Sequence, residues 1–205
     1  MIFSKPFYHI FNVKEHRQNK EKILNRIAHI GTSLSTDGGN PISKSDYYIE
    51  RGSVETNLPS VVASWPSGPA TEWFTYGMSY DDRISFYHSI SKRFDPSRRI
   101  SKTVSNIRIT STWFNQYEPN SGSEHPFHNH WKINEQNSLT SIYYVELEDN
   151  SLRTIVEDPK THKEVALKVK EGQILTFDAT IPHRSPQNNT DTRKTVIAFN
   201  SIFFG

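Results

Sequence analysis

The stretch from Gln173 to Phe199, QILTFDATIPHRSPQNNTDTRKTVIAF, decides the fold that the sequence predicts. Its first part, QILTFD (173–178), is apolar and rich in strand-forming residues, so it predicts a strand. The segment PQNNTD (186–191) has the composition of a turn. Residues 193–203 then predict a second strand. Short strands separated by turns in this way are typical of a β-sandwich or jelly roll.

The same pattern continues upstream. Ile107, Ile109 and Trp113 share one parity, which is the alternation of a strand. Further strands are predicted at 139–147, 152–156 and 165–169, with turn signals such as EDN and DPKT between them. The fold class predicted from about residue 104 onward is therefore mainly β, with a jelly-roll core.

The N-terminal part has a different pattern. Residues 6–12 predict a short strand, and residues 14–30 predict a helix with apolar residues at helical spacing. A second helix is predicted at 80–94, with acidic residues in its first turn and basic residues in its last. We expect one domain over residues 1–205, in which a helical and irregular support (1–103) packs on the β core (104–205).

Composition limits the possible functions. The chain has 205 residues, a net charge of +2 and no cysteine. These values give no nucleic-acid signature, and they exclude disulfides, zinc–thiolate sites and thiol nucleophiles. The segment MIFSKPFYHIFNV does not resemble a signal peptide, and no apolar run is long enough to span a membrane. The expected location is the cytoplasm, without membrane or nucleic-acid partners.

Three of the nine histidines lie within HPFHNH (125–130). Residues i and i+2 of a strand point to the same face, so His128 and His130 should project together and could share a metal ion. His125 is out of phase and precedes Pro126, so we expect it in a loop or behind the ligands. His183, just after a predicted strand, is the best candidate for a third ligand. A structural or surface role for these histidines remains the alternative.

Arg193 and Thr195 could complete a binding site. They have the same parity in a predicted strand, and a guanidinium with a nearby hydroxyl suits a carboxylate. A metal with three protein ligands, together with an arginine for a distal carboxylate, is an arrangement that can hold 2-oxoglutarate. The alternative for Arg193 is an ordinary surface cation at the start of a strand.

The segments YEPNSGSEHPFHNH (117–130), SIYYVEL (141–147) and VKEGQILTFDATIPHRSPQNNTDTRKTVIAFN (169–200) resemble the Fe(II)/2-oxoglutarate-dependent oxygenases. The resemblance is closest to small oxygenases of marine bacteria and their phages, and it extends to prolyl hydroxylases. It implies a double-stranded β-helix and a dioxygenase that uses Fe(II), 2-oxoglutarate and O₂ and releases succinate and CO₂. The implied reaction is hydroxylation of an unidentified substrate, either a peptide or protein side chain or a small metabolite.

The resemblance also implies residue roles. His128 and His183 match the two histidine ligands, and His130 stands where most of these enzymes have Asp or Glu. Arg193 and Thr195 match the R-x-S pair that binds the distal carboxylate. Three neutral imidazoles leave Fe²⁺ with its full charge of +2, which the 2-oxoglutarate dianion would cancel.

Two tyrosines match positions near the cosubstrate in prolyl hydroxylases. Tyr144 corresponds to a tyrosine that helps to bind the distal carboxylate, and Tyr117 corresponds to one that lies over the cosubstrate. Core packing is the alternative for both residues.

The cupins, which share the double-stranded β-helix, offer a second interpretation. Gly122, His128, His130 and Glu135 fit the spacing of the first cupin motif, G-x5-H-x-H-x3–4-E. Glu135 would then be a fourth metal ligand, and the enzyme would not use 2-oxoglutarate. A third interpretation is a non-enzymatic β-barrel binding protein whose histidines are structural.

Overall fold

The computed structural model describes residues 7–13, 16–29, 42–45, 106–130 and 138–204. The helix predicted at 80–94 and the cupin-type ligand Glu135 lie outside these residues. Within the described residues, no helix is both long and apolar enough to cross a membrane.

The described elements follow the predicted order from an N-terminal strand and helix to a β-rich C-terminal part. They are β1 (Tyr8–Asn12), α1 (His16–His29), β2 (Lys44–Ser45), β3 (Asn106–Tyr117), β4 (His125–His128), β5 (Ser138–Leu147), a 3-10 turn (Asn150–Leu152), β6 (Ile155–Glu157), β7 (Glu164–Ala166), β8 (Gln173–Asp178), β9 (His183–Ser185) and β10 (Lys194–Phe204).

Two antiparallel sheets form the core. The major sheet has the strand order β1-β8-β5-β10-β3-β2, and the minor sheet has the order β4-β9-β6-β7. Side chains from both sheets meet in one buried cluster, in which Tyr144 and Leu175 of the major sheet pack with Val156 of the minor sheet. The predicted mainly β, jelly-roll class is confirmed, because alternating apolar residues on facing strands bury a shared interior.

Strands β6 and β7 differ most from their predicted ranges. The segment 152–156 begins with the 3-10 turn, because the Asp149 side chain accepts a hydrogen bond of 2.7 Å from the Ser151 backbone N–H and starts a turn there. Strand β7 ends at Ala166, where the Leu167 N–H donates to the Thr154 carbonyl at 3.0 Å and leaves the β6–β7 pairing.

Helix α1 is attached to the major sheet by apolar packing and by an ionic network. Ile23 and Ile27 are buried. The Glu171 carboxylate accepts hydrogen bonds from Lys20 Nζ at 2.7 Å and His16 Nε2 at 3.1 Å, and His16 Nδ1 lies 2.7 Å from the Tyr143 hydroxyl. These contacts hold α1 on the side of the sheet that faces away from the cavity described below.

Candidate metal centre

Three histidines meet at one edge of the minor sheet. Strands β4 and β9 pair antiparallel, with His128 directly opposite His183, and His130 follows two residues after His128. The potential ligand atoms of the three side chains all lie within 4.8 Å of one another. The structure therefore brings together the three histidines that the sequence suggested, through cross-strand pairing for two of them and i, i+2 spacing for the third.

Backbone carbonyls orient two of these imidazoles. His183 Nδ1 donates to the Ile181 carbonyl at 3.1 Å, and His128 Nδ1 donates to the Pro126 carbonyl at 2.8 Å. Since a carbonyl can only accept, the proton must be on Nδ1, and Nε2 carries the lone pair. A hydrogen bond from the ring nitrogen that does not bind the metal is the usual way in which a protein fixes the tautomer of a metal-binding histidine.

Burial favours the neutral form of the cluster. It lowers the pKa of His183 well below the ordinary value, with further lowering by the neighbouring histidines, and it also lowers the pKa of His128. A divalent metal binds the neutral imidazole, so His128 and His183 are in their ligating form at neutral pH. Three borderline nitrogen donors with open positions suit Fe²⁺, Ni²⁺ or Zn²⁺.

His125 contacts the cluster from behind. Its ring stacks on that of His128 with a centroid separation of 3.8 Å and an interplanar angle of 28°. Burial lowers the pKa of His125 to about 3. The residue lies in β4 and pairs with Ser185, with an irregularity in the ladder before His128. His125 is therefore a strand residue that supports a ligand, which is the second of the two roles expected for it.

A cavity that opens to solvent adjoins the histidines. Strands β3 and β10 supply alternate side chains on its wall, in directly opposed pairs: Lys194 with Tyr117, Val196 with Asn115, and Ala198 with Trp113. The other lining residues are His125, His128, His130, Ile142, Thr154, His183, Arg184 and Ser185. The cavity thus has an apolar stretch and a polar end around Lys194.

Lys194 is a buried cation within this cavity. Its side chain is 1% exposed, and its Nζ donates to Ser185 Oγ at 2.7 Å and lies 5.1 Å from the centroid of the Tyr117 ring. Burial lowers the pKa of Lys194 to about 7. Because no carboxylate lies among the described residues that line the cavity, the ammonium is suited to an anion that enters with a ligand.

Comparisons with known proteins identify the fold. The chain is similar to a 2OG-Fe(II) oxygenase family oxidoreductase from Burkholderia pseudomallei, with a TM-score of 0.61, 12% identity, and coverage of 97% of this chain and 86% of that one. It is also similar to the viral collagen prolyl hydroxylase of Paramecium bursaria Chlorella virus-1 in complex with 2OG, with a TM-score of 0.51, 10% identity and full coverage of both chains. The HygX structure from Streptomyces hygroscopicus, with nickel, 2-oxoglutarate and hygromycin B bound, matches with a TM-score of 0.57, 8% identity, and coverage of 96% and 82%.

The chain has the fold of the 2OG-Fe(II) oxygenases. No protein-family model and no curated protein sequence matches the chain significantly. The likeness is therefore one of structure, and the residues of the site must carry the functional argument.

Arg193 and Thr195 lie away from the cavity of this oxygenase fold. Arg193 donates twice to Glu146, from Nε to Oε2 and from Nη2 to Oε1, each at 2.9 Å. Thr195 Oγ1 donates to the same carboxylate. Both residues are absent from the cavity lining. The structure therefore brings Lys194, the residue between them, to the position that sequence reasoning gave to Arg193.

Sequence reasoning missed Lys194 because both faces of β10 are apolar. Val196 and Ala198 point towards the cavity, whereas Ile197 and Phe199 are equally buried on the opposite face. The alternation of side chains along β10 separates these two sets of residues, but it does not show which set faces the cavity. The only available signal was the lysine itself, because a lysine that begins a fully buried strand needs a partner or a function.

The two tyrosines lie on the inner faces of their strands. Tyr117 is part of the cavity lining, and burial raises its pKa. Tyr144 is fully buried, and its hydroxyl donates to Thr154 Oγ1 at 2.6 Å. Since Thr154 lines the cavity, Tyr144 is separated from it by one hydrogen-bonded side chain. Tyr144 also packs in the core, as the alternative interpretation expected.

Proposed function

We propose that the protein is an Fe(II)- and 2-oxoglutarate-dependent dioxygenase that oxidises a substrate, by hydroxylation in the simplest case, and releases succinate and CO₂. The observation that carries the proposal is the pairing of two features in one cavity. A cluster of three histidines lies on one side, and the buried side chain of Lys194 lies at the polar end. A ligand with a metal-chelating end and a distal carboxylate would satisfy both features at once.

The metal would be held by His128, His130 and His183. These residues fit it, because their donor atoms converge, and because the Nδ1 protons of His128 and His183 are occupied by carbonyls. When bound, the iron supplies the Lewis-acid and redox chemistry that couples decarboxylation of 2-oxoglutarate to oxidation of the substrate. His125, which stacks on His128, would keep that ligand in place.

The distal carboxylate of 2-oxoglutarate would bind at Lys194. Ser185 and Tyr117 adjoin the ammonium, so this end of the cavity offers one ammonium and two hydroxyl groups as donors to an anion. Arg193 is assigned no part, because its guanidinium is already paired with Glu146. Tyr144 would act indirectly, through Thr154, whereas Thr195 is assigned no part because its hydroxyl is bound to Glu146.

The charges of the site are consistent with this cosubstrate. Three neutral imidazoles leave a divalent metal with its charge of +2, and a dianion would neutralise it. Histidine at position 130, in place of the usual carboxylate, therefore does not prevent the binding of 2-oxoglutarate. In the dry part of the cavity, attraction between the carboxylate and Lys194 is screened less than it would be in water.

The protein side chains would position the cosubstrate and exclude water from the reacting end. Trp113 packs against the ring of His130 with a centroid separation of 5.1 Å, and Ile142, Val196 and Ala198 give the cavity an apolar wall. Such walls limit side reactions and hold the cosubstrate in one orientation. The primary substrate would be a peptide or protein side chain or a small metabolite, and no described side chain selects between these classes.

An anaerobic titration tests the proposal. The apo-protein is titrated with Fe(II) and then with 2-oxoglutarate, and the visible metal-to-ligand charge-transfer band is followed. We expect the band in the wild type and in Arg193→Ala, but not in His183→Ala or Lys194→Met. The Arg193 variant is the matched control, because it removes a neighbouring cation that points away from the cavity.

Other outcomes would contradict parts of the proposal. If Arg193→Ala loses the band and Lys194→Met keeps it, the carboxylate site is at Arg193. If the wild type binds iron but gives no band and no heat of 2-oxoglutarate binding, the oxygenase proposal is wrong and the cupin interpretation takes its place. If neither ligand binds, the interpretation as a non-enzymatic barrel remains.

A further inference from the structure

A buried polar pair connects strand β2 to the polar end of the cavity. Ser45 lies directly opposite Asn115 in the β2–β3 ladder. Both side chains are 4% exposed, and Ser45 Oγ donates to Asn115 Oδ1 at 2.7 Å. Asn115 and Tyr117 lie two residues apart on β3 and both line the cavity, which places the Asn115 amide beside the Tyr117 phenol, and Tyr117 in turn adjoins Lys194 and Ser185. These contacts form a continuous path from β2 to the residues that we place around the distal carboxylate.

The direction of these hydrogen bonds determines where the Tyr117 proton points. Because the Asn115 carbonyl oxygen accepts from Ser45, the amide NH₂ is the group that remains for Tyr117. The phenol oxygen of Tyr117 then accepts from Asn115, and its own proton must be donated elsewhere. Ser185 is a further hydrogen-bonding neighbour of the phenol, and Lys194 Nζ lies over its ring at the end of the cavity.

We infer that Asn115, locked by Ser45, is a positioning residue that turns the Tyr117 hydroxyl into a donor for the distal carboxylate of the cosubstrate. This inference rests on the proposed function. In this arrangement Asn115 does not touch the carboxylate. It keeps the phenol proton directed to the cavity, so that the hydroxyl joins Lys194 and Ser185 as a donor before the ligand arrives.

Strand β2 is well placed to hold this lock. Lys44 Nζ donates to the Ile27 carbonyl near the end of α1 at 3.1 Å. The residue before Ser45 is therefore fixed to the helix. A serine on such an anchored segment can hold an amide in one orientation at small entropic cost.

The test is a double-mutant cycle read by 2-oxoglutarate affinity. Calorimetry on the Ni²⁺-loaded protein gives the dissociation constants for the wild type, Ser45→Ala, Tyr117→Phe and the double variant. Ser45→Ala should weaken 2-oxoglutarate about fivefold, as the loss of one oriented hydrogen bond predicts. In the Tyr117→Phe background the same change should have less than about a twofold effect, because the group on which it acts is gone.

Two further variants separate positioning from a general loss of structure. Ser43→Ala removes a hydroxyl from the same segment, one that bonds Glu118 and Ser121, and it should leave 2-oxoglutarate affinity unchanged. Asn115→Asp places a carboxylate where it can accept the hydrogen bond of the Tyr117 hydroxyl and repel the ligand, and it should weaken binding about 30-fold or more at pH 8. The affinity for Ni²⁺ alone should be the same in Ser45→Ala as in the wild type, since Ser45 is not among the described residues that line the cavity beside the three histidines.

The outcomes distinguish this inference from the function on which it rests. Failure of the Ni²⁺-loaded wild type to bind 2-oxoglutarate would refute the proposed function itself. Binding by the wild type with equal effects of Ser45→Ala in both backgrounds, or with an equal effect of Ser43→Ala, would overturn the inference and leave the function standing.

Discussion

Replacement of Lys194 by Met should make the ligand-free protein more stable while it removes the binding of 2-oxoglutarate. The ammonium is almost fully buried, and no carboxylate is present among the described residues that line its cavity. Methionine has a similar length, no charge, and enough flexibility to fill the same space. A site that binds an anion through a buried cation is under strain until the anion arrives, and the substitution relieves that strain.

The magnitude follows from the pKa of Lys194, which is about 7 in the folded protein and 10.5 as the ordinary value. Because the folded pKa is the lower one, the unfolded chain binds more protons between these values, and wild-type stability rises with pH. The lowered pKa of Lys194 reduces the free energy of unfolding of the wild type by about 4 kcal/mol at pH 7 and by about 2 kcal/mol at pH 9. Loss of the hydrogen bond to Ser185 offsets about 1 kcal/mol. We therefore expect Lys194→Met to be more stable by about 3 kcal/mol at pH 7 and by about 1 kcal/mol at pH 9.

Urea unfolding measures this difference. Both proteins are unfolded in the presence of EDTA at pH 7, 8 and 9, and tryptophan fluorescence gives the free energy of unfolding from the midpoint and slope. Lys168→Met is the matched control, since it removes an exposed lysine that does not line the cavity. A Lys194→Met protein that is less stable than the wild type at pH 7, or a difference that does not shrink between pH 7 and 9, would refute the reasoning.

Three other predictions follow from the same site. In the metal-loaded protein, calorimetry should show that the affinity for 2-oxoglutarate falls about tenfold between pH 6 and pH 8. Lys194 must be protonated to bind the carboxylate, and it loses its proton near pH 7. The Lys194→Arg protein should show the same affinity at both pH values. Arg193→Ala should lower the free energy of unfolding by about 1 kcal/mol, the loss of a half-exposed ion pair with Glu146, and should leave the affinity for 2-oxoglutarate unchanged. His125→Ala should weaken Ni²⁺ about two- to tenfold through loss of the stack on His128, and His125→Phe should recover most of that loss; equal metal affinities in all three proteins would contradict the supporting role.

The groups that face Lys194 should not contribute to the change in 2-oxoglutarate affinity between pH 6 and pH 8. Its neighbours come from three strands packed against β10, and none of them is acidic. These neighbours are Tyr117 on β3, His125 on β4 and Ser185 on β9. Burial raises the pKa of Tyr117 and lowers the pKa of His125 to about 3, so neither residue changes its charge between pH 6 and pH 8.

Local patterns in the sequence predicted most of the fold. Strand β8 was predicted at the residues where it occurs, and β1, β5, β10 and helix α1 differ from the predicted ranges by one or two residues at their ends. These elements were predictable because apolar periodicity and turn residues act over short distances. The ends of the short strands β6 and β7 were less predictable. A capped turn decides where β6 begins, and a single backbone hydrogen bond decides where β7 ends.

The site was only partly predictable. The three histidines could be grouped because H-x-H spacing fixes a common face, and because His183 follows a strand. The assignment of the cation required the face of β10 that points inward, which depends on the pairing of Lys194 with Tyr117 on a strand nearly 80 residues away. Ser45 and Asn115 gave no local signal, because their contact exists only after β2 has paired with β3.

The position of the cation also bears on which anion the cavity prefers. In the proposed enzyme, a metal held by the three imidazoles and the ammonium of Lys194 would make two separate positive centres in one cavity. A 2-oxo acid without a second carboxylate would satisfy the metal but would leave Lys194 buried without an anion, and the lowered pKa of Lys194 indicates that burial of the unpaired charge is costly. A dicarboxylate of suitable length compensates both centres, so its advantage over pyruvate should be larger at pH 6, where Lys194 is charged, than at pH 8. Competition between 2-oxoglutarate and pyruvate at the two pH values measures this advantage, and a pH-independent ratio would mean that the ammonium does not take part in the choice.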